Sequence, residues 1–344
     1  MKTRIFCLFA FLSLVGCGRI LSSKRIQPTY TSEIAQTSSA IISSVPSSAK
    51  IINENTGCKK IAFIMFENTQ RQTSDIYSIC PDGTNYHRLT NDNILKASPT
   101  WSPDATQIAF VSSQYGINQI FIMSADGNTI TQITFDYSNS SPIWLPDGKR
   151  IAFLTTDGKG LWWWRILHLD SKEIEQLSKP SYDFFFQTSA WSPDGMHIAY
   201  MSMEEQKERN DGSSQIHLKN IDGTNDQALT HDTWANINPI WSPDGSKIAF
   251  LSERDGINNI FALYIIDSDR STVERVTKPM FPGASTTYSW LISTTYSWSP
   301  DGKNIVIGDG NLEHIYIITL ADKQMKELPG LPGDAISAFP SWQQ

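Results

Sequence analysis

Cysteine is scarce in this 344-residue chain, with four Cys against eleven Trp. So few thiols exclude a disulfide-built framework and leave aromatic packing to hold the core. Charge is low as well, at 18% Asp, Glu, Lys and Arg, and it sums to −7. An acidic balance argues against a general nucleic-acid binder, and 40% hydrophobic residues exclude a wholly disordered chain. No hydrophobic run reaches the roughly 20 residues that a membrane-spanning helix needs. There is no Gly-x-Ser-x-Gly elbow and no Asp-rich loop of calcium-binding spacing. His87, His168, His197, His217, His231 and His314 are scattered without metal-ligand spacing, and ordinary strand or loop positions account for them. No catalytic residue, metal or cofactor is therefore nominated, although carboxylates from different loops could still converge over a channel.

What is present begins with a leader. Lys2 and Arg4 precede an apolar run from Ile5 to Val15, long enough for a signal-peptide core and too short to span a bilayer. It ends in Leu14-Val15-Gly16-Cys17, which resembles the lipobox of bacterial lipoproteins. The expectation is a signal peptide over 1–16 and lipidation of Cys17, the alternative being an ordinary secretory signal that contains a Cys. Residues 17–56 are rich in Ser and Thr, carry Tyr30 as their one aromatic, and show no sustained period of 2 or 3.6. They read as a flexible tether. The globular part is then 57–344.

Eleven Gly follow an Asp, and Asp-Gly is a turn signal between antiparallel strands. Self-comparison organises them. Trp101-Ser-Pro-Asp, Trp144-Leu-Pro-Asp, Trp191-Ser-Pro-Asp, Trp241-Ser-Pro-Asp and Trp298-Ser-Pro-Asp recur at spacings of 43, 47, 50 and 57. Each precedes a hydrophobic triplet such as Ile108-Ala109-Phe110. An earlier triplet, Ile61-Ala62-Phe63, lacks its Trp, and a final Trp342 lacks its triplet. Six repeats of four short strands, out of phase with the chain ends, predict an all-β six-bladed β-propeller with four-stranded antiparallel blades. The phase offset predicts closure by the C-terminal strand, Ile336 to Trp342, pairing into the first blade. In the second repeat Asp104-Ala105 replaces Asp-Gly and is expected to be slightly strained.

The repeat Trp-Ser-Pro-Asp-Gly-x-x-Ile-Ala-Phe, followed by an Asp-Gly turn and a Leu-Thr or Ile-Thr strand, resembles that of the TolB family of propellers. Leu89-Thr90, Ile133-Thr134, Leu229-Thr230 and Val276-Thr277 are the fourth-strand copies, with Leu177-Ser178 a near copy. The resemblance covers about residues 58 to 342 and implies a propeller fold. It does not fix a function, since such repeats serve scaffolds, sensors and peptidase accessory domains.

Several residues stand out as candidates. Ser285 to Trp290 recurs as Ser293 to Trp298, so either copy could form the strand while the other loops out. Cys58 and Cys80 should lie opposite each other in the first blade, as a disulfide or as two free thiols. On the face carrying the between-blade loops, Trp162, Trp163, Tyr182, Phe184, Phe185, Phe186, Trp234, Tyr288 and Trp290 are candidates for binding, the alternative being packing against their own blades. Asp92, Asp136 and Asp232 each follow a fourth-strand Thr by two residues and should line the channel mouth, as an acidic ring or merely as caps of their own turns. The favoured reading is a non-enzymatic, exported lipoprotein facing the periplasm or cell exterior. It would meet the membrane only through its lipid and bind a protein or peptide partner. The alternative is a carbohydrate-binding or carbohydrate-active propeller with a glycan ligand.

Overall fold

The computed structural model describes residues 57–66, 73–179, 189–202, 213–255, 260–270, 272–282, 295–309, 314–332 and 336–344. Cys58–Gln344 forms one compact unit. It contains six antiparallel sheets arranged as the blades of a propeller, and no helix among the described residues. From the channel outward, the second blade runs Lys96–Trp101, Gln107–Ser112, Gln119–Ser124 and Ile130–Gln132. The third runs Ser138–Trp144, Arg150–Thr156, Trp162–His168 and Ile174–Gln176. The fourth, fifth and sixth repeat this order from Ser189–Trp191, Asn236–Trp241 and Tyr296–Trp298. In the fifth blade the short strand Phe281–Pro282 also pairs with the third strand.

The hydrophobic triplets make sense once blades stack face to face. A second strand has a neighbouring blade on each side, so both of its faces are buried. Ile108 and Phe110 join the core shared with the first blade, whereas Ala109 and Val111 join the core shared with the third. One such core lies at every junction around the ring. Outer strands lack a second neighbour and are largely exposed.

Ring closure is as the phase offset predicts. Ile336–Trp342 is the innermost strand of the first blade and pairs antiparallel with Ile61–Phe66, from Phe66↔Ile336 to Ile61↔Trp342. Pairing of the two chain ends removes an open sheet edge. A disulfide joins Cys58 and Cys80, with Cα atoms 5.7 Å apart. It ties the approach to the second strand of this blade to the end of the third.

The Ser-Pro-Asp turns are held by reciprocal side-chain bonds. The Ser102 hydroxyl donates to Asp104 at 2.6 Å and accepts from the Gln107 N–H at 2.9 Å, while Asp104 accepts from the Thr106 N–H at 3.1 Å. Ser242/Asp244 and Ser299/Asp301 repeat the arrangement. These bonds hold Asp104, Asp244 and Asp301 below the usual carboxylate range, the serine hydroxyl contributing most. Ala105 sits at φ +62°, in the left-handed conformation that Gly245 and Gly302 take at the same turn. The expected strain at this position is therefore present. Of the duplicated segment, the second copy forms the strand. Trp298 pairs with Ile305 and is 3% exposed, and the first copy lies outside the described residues.

Candidate functional site

Between-blade loops and the loops joining second to third strands share one face, because successive strands alternate in direction. The Leu-Thr motif builds this face. The hydroxyls of Thr90, Thr134, Thr230 and Thr277 accept the backbone N–H of Ile76, Ile120, Ile216 and Leu263 at 2.9–3.0 Å. Ser178 does the same for Trp164 at 2.9 Å. Thr134 and Thr230 then donate to Gln119 and Gln215 at 2.7 Å. Those amides donate onward to the backbone of the connecting loops, at Tyr137 O and Asp232 O. Thr134, Gln119 and Asn139 are all buried. A satisfied buried network of this kind fixes where each loop leaves its blade.

The three aspartates two residues beyond the Thr do not stand as a ring of unpaired acid. Each meets a cation. Asp92 bonds the ammonium of Lys96, a lysine only 1% exposed. Asp136 takes the Arg165 guanidinium through both oxygens, at 2.9 and 3.0 Å. Asp232 accepts from Arg254 at 3.0 Å. Asp92 and Asp232 also cap their own loops, accepting the N–H of Ile94 and Trp234. Of the two expectations, turn-capping holds for Asp92 and Asp232. All three aspartates are also charge-paired, a feature no motif announced because Lys96, Arg165 and Arg254 are spread over the second, third and fifth blades. Arg254 also lies over the Tyr264 ring, its Cζ 4.6 Å from the centroid.

The aromatic candidates divide. Trp163 is 8% exposed and packs edge-on against Tyr137 at 5.2 Å, so its ring serves the fold. Trp162 is half-buried against the core between the third and fourth blades. Trp234 is 37% exposed. Tyr182, Phe184, Phe185, Phe186, Tyr288, Trp290 and Cys17 lie outside the described residues.

Among the described residues, the most exposed aromatics cluster elsewhere on this face. Phe135 is 76% exposed, Tyr115 65% and Tyr137 52%, with Ile117 exposed beside them. Two adjoining loops carry them. Gln119 bonds Tyr137 O at 2.7 Å, and the Asn139 N–H bonds Asn118 O at 2.8 Å, so residues 115–118 and 135–139 are held together. Tyr137 takes φ +48°, a conformation costly for a bulky residue, where the first blade has Asn93 at +57°. Phe135 escaped sequence reasoning, yet a signal was there. It follows the fourth-strand Thr at a place where the other copies carry Asn91, Lys179, His231 and Lys278.

Among the described residues no three His, Cys, Asp or Glu side chains gather as a metal site. His168, His197, His217 and His314 each face one carboxylate, in the third, fourth, fourth and sixth blades. No described helix is long and apolar enough to cross a membrane.

Residues 55–209 and 184–293 match PD40, the TolB beta propeller domain. A protein named TolB homolog from Chlorobium luteolum is 28% identical over 192 residues, covering 55% of this chain and 42% of that protein. Another, from Chlorobium chlorochromatii, is 26% identical over 242 residues, covering 70% and 41%. This chain thus spans less than half the length of these relatives. The crystal structure of TolB from Acinetobacter baumannii superposes with a TM-score of 0.67 at 22% identity, over 83% of this chain and 66% of that one. The two matched segments together span 55–293, well over half of the chain, and the chain belongs to the TolB beta propeller domain family.

Proposed function

We propose that this chain is an exported, lipid-anchored cell-envelope protein whose propeller is a non-enzymatic scaffold for a protein partner. The carrying observation is the exposed group Tyr115, Ile117, Phe135 and Tyr137 on the loop face. Aromatics of this kind give large contact area at low entropy cost and dominate protein interfaces. Arg165, placed between the Phe153 and Tyr137 rings and paired with Asp136, supplies a rigid polar border. Trp234 extends the same face, and a relative named Tol-Pal system protein TolB, from Ruthia magnifica, supports an envelope assembly as the setting. The Leu-Val-Gly-Cys17 sequence supports the anchor.

The test is photo-crosslinking in intact cells from position 117, an exposed site that the variant leaves unchanged, comparing the otherwise native chain with a Tyr115→Ser, Phe135→Ser, Tyr137→Asn variant. Asn at 137 keeps the left-handed backbone that Asn93 already tolerates. Loss of a discrete crosslinked partner in the variant is expected, and an unchanged pattern refutes the reading. The anchor is tested separately by intact mass, which should show a lipid adduct at Cys17.

A further inference from the structure

The opposite face, formed by the Ser-Pro-Asp and Asp-Gly turns, departs from its own repeat between the fourth and fifth blades. At the outer end of each third strand, most blades place an apolar pair across to the fourth strand. These pairs are Met123↔Ile130, Leu167↔Ile174, Ile266↔Val273 and Ile318↔Met325. In the fourth blade the ladder ends at Leu218↔Gln227, and one residue further out the corresponding pair is Lys219 and Asp226. Two charges replace two aliphatic side chains.

The facing wall departs too. Two residues beyond the apolar position, a residue whose N–H bonds back to the neighbouring turn is Leu169, Ile221 or Leu320 in the third, fourth and sixth blades. Each packs in the core that holds its blade's channel-side Trp, and Trp144, Trp191 and Trp298 are at most 7% exposed. In the second blade the residue is Ala125, where the turn at Gly127 closes directly on the Leu89 backbone. In the fifth blade it is Ser268, bonded to Ser246 O at 2.8 Å in the same way. Ser268 leaves the Trp241 ring partly exposed, lining a groove of about 670 Å³. The equivalent groove between the second and third blades is smaller and lined by Ile122, Met123, Ile133 and Leu169.

Three carboxylates converge on the larger groove: Asp194, Asp226 and Asp244. The hydroxyls of Ser192 and Ser242 are the chief groups that hold Asp194 and Asp244 below the usual carboxylate range. Asp226 accepts from the Tyr200 hydroxyl and from His217 Nδ1 at 3.1 Å, which leaves room for further donors on each oxygen. The Lys219 ammonium is drawn over the Tyr200 ring, 4.4 Å from its centroid. The His197 ring stands on one side of the groove, 6.4 Å from the indole and with Nδ1 3.7 Å from Asp194. A partly exposed indole in a groove lined by carboxylates matches a planar cation, which stacks on the ring and donates sideways in pairs.

We propose that the groove between the fourth and fifth blades binds an arginine side chain of a peptide, with Trp241 as platform and Asp194, Asp226 and Asp244 as acceptors. The site lies on the face opposite Phe135, so it is a second contact and does not depend on the loop-face partner.

The experiment titrates the full-length protein in detergent with N-acetyl-Gly-Arg-Gly-amide, and with the Gln analogue as control, following the Trp241 indole N–H by NMR. Saturable shifts with the Arg peptide, at a Kd of about 1 mM or tighter, and none with the Gln peptide are expected. Ser268→Leu restores the residue of the other blades without altering charge. It should keep the fold and weaken binding at least about tenfold. The Lys219→Met, Asp226→Ile double variant restores the apolar pair and should do the same. No saturable shift in the native chain, or equal binding by Ser268→Leu, overturns the proposal, the latter by exposing a diffuse charge effect.

Discussion

Replacing Trp342 by Ala tests whether the ring is held at the point where its two ends meet. Trp342 is 5% exposed and packs with Ile61, Phe63, Ile79, Val306 and Leu328 in the core between the sixth and first blades. Its backbone pairs with Ile61, and its N–H bonds the Ser297 hydroxyl at 3.1 Å, reaching the sixth blade. Truncating a buried Trp costs about 3–5 kcal/mol. For a domain of this size each kcal/mol moves the midpoint by about 2–3 °C, so Tm should fall by roughly 6–15 °C. The loss should also be local in origin. Hydrogen exchange in Ile61–Phe66 should accelerate before exchange in the third or fourth blade, because the strand bearing Trp342 is the partner of that segment. A chain ending at Leu331 removes the whole closing strand and should be more severely destabilised. The reasoning is refuted if Tm of the Trp342→Ala variant falls by less than about 2 °C, or if exchange rises uniformly around the ring.

Three further outcomes follow from particular turns and bonds. Ala105→Gly relieves a left-handed Ala and should stabilise the protein by about 1 kcal/mol, read as a higher urea midpoint at unchanged slope. Replacing Cys58 and Cys80 together by Ser opens a crosslink of sequence separation 22 and should cost about 3 kcal/mol, with reductant reproducing the loss in the native chain. Asp104 should titrate below its ordinary value of 3.8 in NMR, and Ser102→Ala should move it back upward. Its folded pKa is depressed, so its contribution is complete above 3.8 and disappears as pH falls through the folded value. The native chain should therefore lose stability on the acid side of that point, and Ser102→Ala should lose less there.

Much of this protein follows from its repeat. Trp-Ser-Pro-Asp-Gly encodes a complete turn within five residues, since the serine, the aspartate and a left-handed glycine satisfy one another locally. The triplet behind it encodes a strand buried on both faces, and the unmatched Ile61-Ala62-Phe63 and Trp342 encode the closure. These features depend on neighbours in sequence or on a count of copies, so blade number, strand order and the joined ends were all available from residues alone.

What tertiary structure decided depends on neighbours in space. Whether an aspartate at a channel mouth stands free or is paired rests on side chains from distant parts of the repeats, as with Asp136 and Arg165. Whether a tryptophan at the start of a strand is a contact surface or a packing element rests on what lies across from it, and Tyr137 packs against Trp163. The departures at Lys219, Asp226 and Ser268 are written in the chain. They acquire meaning only when two blades meet and the missing aliphatic side chains leave Trp241 partly exposed in a groove. The sequence by itself determined the ring, because its rules are local and repeated. Only the folded ring decided which of its surfaces are open, because exposure belongs to the junctions between repeats.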